Sequence, residues 1–282
     1  MNVEFKKILN AKNQDLEKIA VELEKQYFCA EPYSHVVLDN FFDDTFLNKI
    51  LYEFPDLSNE GDSTQFKDGL SIKLASNINT KFKENTFNLF SFLNSKDFLF
   101  FLKKITGIKE TLLPDPYYVG GGLHEIKKNG FLKIHSDFNY HPMFNLDRRL
   151  NMLIYLNKNW PSKFGGQFEM WDKNLENCVK KIEPTFNRVV IFSTTNSSFH
   201  GHPDPLNCPE DVSRKSIALY YYTNGRPEHE KTNPRSTLYV NRRGMSEINS
   251  AKYLLYCKLV FVNLLKNICP PFLIKLKNFL FR

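Results

Sequence analysis

The run Phe131-Leu-Lys-Ile-His135-Ser-Asp137 places an imidazole and a carboxylate two residues apart. In a strand, residues i and i+2 point to the same face. His135 and Asp137 can therefore reach one metal ion from one strand end. Two imidazoles and one carboxylate on one face of an octahedron, with three positions left open, form the donor set of non-haem iron(II) centres. A lone His-x-Asp arises often by chance, so the reading needs a third ligand from a distant strand. His200 closes the segment that begins with the apolar run Val189-Val-Ile-Phe-Ser193 and ends at Phe199. His202 is the alternative, and His200 is preferred because it lies nearer the strand. Arg214 opens another apolar run, Ser216-Ile-Ala-Leu-Tyr-Tyr-Tyr222. A guanidinium is a planar fork that binds a carboxylate through two hydrogen bonds. A charge opening a buried strand is costly without a partner. Arg214 is thus either a carboxylate anchor or simply exposed at the strand start.

The elements that must position these groups are short strands. From residue 117 onward, apolar alternation marks strands at 122–126, 131–137, 150–156, 166–171, 178–182, 187–193 and 215–223. Turn signals separate them, among them Asn129-Gly130 and Gly165-Gly166. Strands at this spacing predict an all-β sandwich or barrel. Before them, residues 1–27 carry a weak helical pattern and 33–39 read as a strand. Asp39 or Asn40 is expected to cap a helix at 44–53. A loop is expected at 57–70 and a helical stretch at 83–106. The expected organisation is a helical segment at 1–30, a mainly β domain at 31–230 and a tail at 231–282.

Composition excludes several classes. The 282 residues are 42% hydrophobic and 15% aromatic, so a packed core is affordable and disorder is not expected. Five cysteines without a CxxC pair argue against a disulfide framework or a thiolate zinc site and fit a reducing, cytoplasmic compartment. The first residues lack an apolar stretch, so no secretory signal is expected. The net charge of +7 is biased toward the end of the chain, where no acidic residue follows Glu247. Charge alone suggests nucleic acid, but no recognition motif supports it, so no nucleic-acid partner is expected.

Four blocks carry a resemblance: 120–139 (GGGLHEIKKNGFLKIHSDFN), 146–160 (LDRRLNMLIYLNKNW), 164–172 (FGGQFEMWD) and 199–227, from Phe199-His-Gly-His to Arg226-Pro227. In order and spacing they resemble the prolyl 4-hydroxylase-like branch of the 2-oxoglutarate/iron(II) dioxygenases, over roughly residues 31–227. The resemblance implies a double-stranded β-helix (jelly-roll) core with N-terminal helices packed on it and a C-terminal helical tail. It implies iron(II) on His135, Asp137 and His200, with 2-oxoglutarate as cosubstrate and dioxygen as oxidant. By the same likeness Arg214 and Tyr155 hold the far carboxylate of the cosubstrate. Ser216 completes an Arg-x-Ser pattern, and Asn151, on the face of Tyr155, lines the pocket. Ascorbate dependence is implied by likeness only. There are two departures. Many relatives have a tyrosine about ten residues before the first ligand, where this chain offers His124 as a loose candidate. The loop from His200 to Arg214 is also longer than in many hydroxylases.

The substrate is not readable: a prolyl or other residue of a protein or peptide, a saccharide and another small molecule all remain open. The segment Phe138 to Arg149, with His141, Arg148 and Arg149, is either part of a substrate entrance or a solvated connecting loop. Residues 250–282 are apolar and basic, split by Pro270-Pro271. Peripheral contact with an anionic membrane and packing on the core are both open for them. The competing reading of the whole is a jelly-roll binding module that has lost catalysis.

Overall fold

A computed structural model describes residues 3–58, 61 and 63–243. Of the tail expected at 231–282, residues 231–240 belong to the same compact unit as the residues before them, and 244–282 lie outside the described residues. Residues up to Val240 form one compact unit.

The helices are α1 (Val3–Lys6), α2 (Leu16–Phe28), α3 (Asp44–Glu53), α4 (Glu84–Leu93) and α5 (Lys96–Thr106). In α2 the buried residues Leu16, Ala20, Leu23 and Tyr27 recur at helical spacing, and the Asp15 side chain accepts from the Lys18 amide. The pattern read at 1–27 is therefore α2, preceded by the short α1 and a single 3-10 turn at Ala11–Asn13. The expected cap of α3 at Asp39 or Asn40 is corrected to Asp43, whose carboxylate accepts from the Phe46 amide. The stretch 83–106 is two helices. Asn94 ends α4, and Ser95 starts α5 by accepting from the Phe98 amide.

The strands are β1 (His35–Asp39), β2 (Ser63–Lys67), β3 (Ser71–Ser76), β4 (Leu113–Pro114), β5 (Gly122–Ile126), β6 (Phe131–Ser136) and β7 (Asp147–Tyr155). They continue with β8 (Phe168–Trp171), β9 (Cys178–Ile182), β10 (Arg188–Ser193), β11 (Phe199–His202), β12 (Arg214–Thr223) and β13 (Leu238–Tyr239). Part of the loop expected at 57–70 is instead strand β2, in a hairpin with β3 whose turn holds Asp68-Gly69. All pairings between strands are antiparallel, in the order β1-β10-β7-β12-β5-β3-β6-β11-β8-β9. The sheet curls into the expected jelly roll.

Strand alternation separates the two faces of this sheet. On β7, Leu150, Met152 and Ile154 join the main apolar core together with Val189 and Ile191 of β10 and Ile217, Leu219 and Tyr221 of β12. The buried faces of the helices, such as Phe98, Phe101, Leu102 and Ile105 of α5, complete that core. Each fully buried side chain of this size contributes roughly 1.5–3 kcal/mol. The alternate residues Asn151, Leu153, Tyr155, Phe192, Ser216 and Tyr220 face inward and line a cavity. The helices thus fix one face of the sheet and leave the other to carry polar groups.

Candidate active site

His135 and His200 are direct cross-strand partners on β6 and β11, and their ring centroids lie 4.4 Å apart. Asp137 follows two residues after His135, just past the end of β6. The ligand atoms offered by His135, Asp137 and His200 all lie within 4.8 Å of one another. Gly201 makes this approach possible: a Cβ there would stand 2.7 Å from the carbonyl oxygen of Leu132 and 3.0 Å from that of Lys133.

Each histidine directs one nitrogen inward by the same device. The Nδ1 of His135 donates to the Lys133 carbonyl at 2.8 Å, and the Nδ1 of His200 donates to the Ser198 carbonyl at 2.8 Å. A backbone acceptor on Nδ1 leaves Nε2 free as an acceptor toward a metal. The Nε2 atoms lie 3.5 Å and 3.3 Å from the Asp137 carboxylate. Two imidazoles with Nε2 turned inward and one carboxylate converging this way fit iron(II).

Asp137 is held by two residues of β7. Arg148 Nη2 donates to its Oδ2 at 3.0 Å and Asn151 Nδ2 donates to the same atom at 2.6 Å. Burial opposes ionisation of Asp137. The Arg148 charge overcomes that cost, with help from His200 and His135, and holds the carboxyl well below the usual range. Burial, and then the neighbouring His200, keep His135 below its ordinary value. The Arg148 guanidinium itself lies between two rings, 3.3 Å from the centroid of Tyr220 and 4.3 Å from that of Phe138.

The other end of the cavity is cationic. Arg214 is buried, donates from Nε to the Gly166 carbonyl at 2.8 Å, and lies 3.4 Å from the Tyr155 hydroxyl through Nη2. Among the described residues no carboxylate pairs with it. Burial lowers its pKa from the ordinary arginine value and raises that of Tyr155. An uncompensated buried guanidinium beside a phenol is a site for a carboxylate. Ser216 is buried and lines the same cavity. Phe168 and Phe192 wall off His200, with ring centroids 5.3 Å and 4.8 Å away.

The structure thus brings His135, Asp137, His200, Tyr155, Arg214 and Ser216 to one cavity. Asn151 also lines it, but its amide is engaged by Asp137, and its Oδ1 accepts from Arg148 Nε and the Thr194 hydroxyl. Its role is therefore to hold the ligand rather than the cosubstrate. His202 lies outside the ligand cluster although it lines the cavity. The entrance reading of Arg148, Arg149 and His141 is corrected, because all three are buried. Arg148 faces Asp137. Arg149 ties Glu110 and Glu230 at 3.1 Å and 3.0 Å. His141 accepts from the amides of Met143 and Phe144 and lies 3.4 Å from Asp115. Three cavity or wall residues escaped the sequence reading: Lys73 of β3, His124 in any defined role, and Tyr239. The Tyr239 ring lies 5.4 Å from that of His135 because β13 pairs with β6.

Residues 121–222 match the family model of the 2OG-Fe(II) oxygenase superfamily. Prolyl 3-hydroxylase OGFOD1 of Mus musculus is 30% identical over 79 residues, which are 27% of this chain and 14% of that protein. The match therefore spans only a small part of that relative. Among solved structures, a prolyl hydroxylase from Trichoplax adhaerens in complex with a hypoxia inducible factor peptide fragment superposes with a TM-score of 0.57 at 18% identity. The match covers 76% of this chain and 93% of that one. A Pseudomonas putida prolyl-4-hydroxylase superposes with a TM-score of 0.54 at 12% identity, over 73% of this chain and 100% of that one. At these identities the likeness to the solved structures is one of fold.

Proposed function

We propose that this chain, which carries a 2OG-Fe(II) oxygenase region at 121–222, is an iron(II)- and 2-oxoglutarate-dependent hydroxylase. One observation carries the reading. A His-Asp-His cluster shares a buried cavity with an arginine that has no acidic partner among the described residues. Iron(II) with 2-oxoglutarate and dioxygen supplies the oxidant that hydroxylates a C–H bond, with release of succinate and carbon dioxide.

The chain's own residues bind and orient. His135, Asp137 and His200 would hold the ion and leave the opposite face open. Arg148 and Asn151 fix the Asp137 carboxylate and keep it ionised at neutral pH. Arg214 and the Tyr155 hydroxyl would bind the far carboxylate of the cosubstrate. Phe168, Phe192 and Leu153 exclude water from the cavity wall, which strengthens every polar contact inside.

The prolyl hydroxylase relatives favour a protein or peptide substrate, with prolyl residues the first to test. Ascorbate dependence belongs to the same proposal and rests on likeness to that branch. A cytoplasmic setting rests on the odd cysteine count. No helix among the described residues is long and apolar enough to cross a membrane. Peripheral membrane contact through 250–282 rests on the basic, apolar sequence there, and liposome flotation of the full chain against one ending near residue 245 tests it.

The decisive experiment is anaerobic addition of iron(II) and 2-oxoglutarate, followed by the visible absorption of their complex. Succinate release with candidate peptides comes next. Asp137→Ala is expected to abolish both signals. Their persistence in that variant would overturn the ligand assignment.

A further inference from the structure

Between the metal cluster and Arg214 the cavity carries a second group of polar side chains that the proposed reaction does not use. Lys73, His124 and His202 all line it. On β3 the inward face is Ser71, Lys73 and Ala75, so an ammonium stands between two buried small residues. Its position on the sheet explains where it points. Ile72 still pairs with Phe131 of β6, whereas Leu74 already pairs with Glu125 of β5. Lys73 therefore emerges where β3 crosses from the strand bearing His135 to the strand bearing His124.

No hydrogen bond or ion pair joins Lys73 to any described residue. Its one polar contact is a cation–π approach, 4.9 Å from Nζ to the centroid of Phe66. His202 is 4% exposed, and among the described residues neither of its ring nitrogens has a partner. His124 is 9% exposed, and its Nε2 likewise has none among them. Buried polar groups are ordinarily hydrogen-bonded, and each exception calls for an explanation. Here two such imidazoles and a half-buried ammonium face one cavity. Asp137 cannot answer for Lys73, because Arg148 and Asn151 already engage it. With a divalent ion bound, the positive charges of the ion, Arg214 and Lys73 outnumber the two negative charges of 2-oxoglutarate.

We propose that Lys73, His124 and His202 form a second carboxylate-binding subsite in this cavity, distinct from the one at Arg214. It rests on the reading of the cavity as a 2-oxo acid site. The carboxylate has two sources with one chemistry: the keto acid end of 2-oxoglutarate itself, or an acidic group of the second substrate. Lys73 supplies the charge, and the two imidazoles supply hydrogen-bonding nitrogens that no described protein group engages.

The test is isothermal titration of the Mn(II)-loaded protein in a buffer free of carboxylate and phosphate. The probes are 2-oxoglutarate, 2-oxopentanoate (which lacks the far carboxylate), and butanoate added after saturation with 2-oxoglutarate. If the keto acid end occupies the subsite, Lys73→Met weakens 2-oxoglutarate and 2-oxopentanoate alike, by about tenfold or more, the loss of one charge-assisted hydrogen bond. Lys73→Arg then retains most of the affinity. If the second substrate occupies it, Lys73→Met leaves both oxo acids unchanged, and butanoate binds the wild type but not the variant. The proposal is overturned if none of the three probes shows binding that depends on the Lys73 charge. Failure of the proposed function reads differently: wild type then binds no 2-oxoglutarate, or Arg214→Met leaves its affinity unchanged, and the subsite is judged on the remaining probes. Lys73→Met deletes a half-buried charge without an ionic partner among the described residues, so its ligand-free melting temperature is expected at or above that of wild type. Should it fall, Lys73→Gln serves as the second variant.

Discussion

Replacing Arg148 with methionine removes the cation that faces Asp137 and keeps most of the stem lying between Tyr220 and Phe138. Asp137 is then left ionised and buried, with one amide donor from Asn151. His135 and His200 remain beside it, but with their ring protons directed to backbone carbonyls they compensate less than the guanidinium did. Breaking a buried ion pair from one side costs about 3–5 kcal/mol. For a unit of this size each kcal/mol lowers the melting temperature by about 2–4 °C, so the metal-free variant should melt roughly 6–20 °C below wild type. A divalent ion facing Asp137 replaces the missing cation, so saturating Mn(II) should recover more than half of that loss. In an Asp137→Asn background there is no charge to strand, and Arg148→Met should cost about 1 kcal/mol or less. The assay is thermal unfolding of the four proteins of this cycle, with a chelator and with Mn(II). An equal loss in all contexts would show that the arginine acts through packing alone, and the electrostatic account of the Asp137 clamp would be refuted.

Tyr155→Phe removes the hydroxyl beside Arg214 and should raise the dissociation constant of 2-oxoglutarate by about tenfold or more, one charge-assisted hydrogen bond's worth, while Mn(II) affinity stays unchanged by titration. Gly166→Ala should weaken 2-oxoglutarate but not Mn(II), because a Cβ there would meet Leu206 Cδ2 at 2.7 Å and Arg214 Cδ at 2.9 Å from a backbone at φ +76°; unchanged cosubstrate affinity would mean that Arg214 does not act from this position. The metal-free protein should lose stability as pH falls. His124 is pushed down from 6.5 to about 3, by burial first and by the Lys73 charge next, and His135 and His202 are lowered as well. The unfolded chain therefore binds protons before the folded one does. Stability is fully present above about pH 6.5 and declines toward the folded values. Urea unfolding between about pH 7.5 and pH 5 measures the slope, and His124→Gln should flatten it.

The site was legible where chemistry follows strand period. His135 and Asp137 share a face because they are two residues apart, and Tyr155 and Arg214 come from strands whose apolar alternation is plain. What escaped depends on partners distant in sequence. Asp68-Gly69, flanked by alternating residues, is a strong hairpin signal, yet 57–70 reads as a polar loop. Lys73 is then lost, since only the pairing of β3 with both β5 and β6 turns it inward. Arg148 and Arg149 read as part of a substrate entrance or of a solvated loop. Each instead meets its own carboxylate, the buried Asp137 and the half-exposed Glu110, from sites that no local pattern connects. The split of 83–106 could have been read from Asn94-Ser95, residues that favour the end of one helix and the cap of the next.

Two short strands distant in sequence share one side of β6. β3 covers Phe131 and Leu132, and β13 covers His135 and Ser136. Amide and carbonyl groups left bare along a strand margin are a template on which other chains can assemble. Shortening the chain to residue 230 would uncover that margin at the strand that carries His135. Such a truncated protein is expected to self-associate, whereas one ending near residue 245 keeps the guard in place.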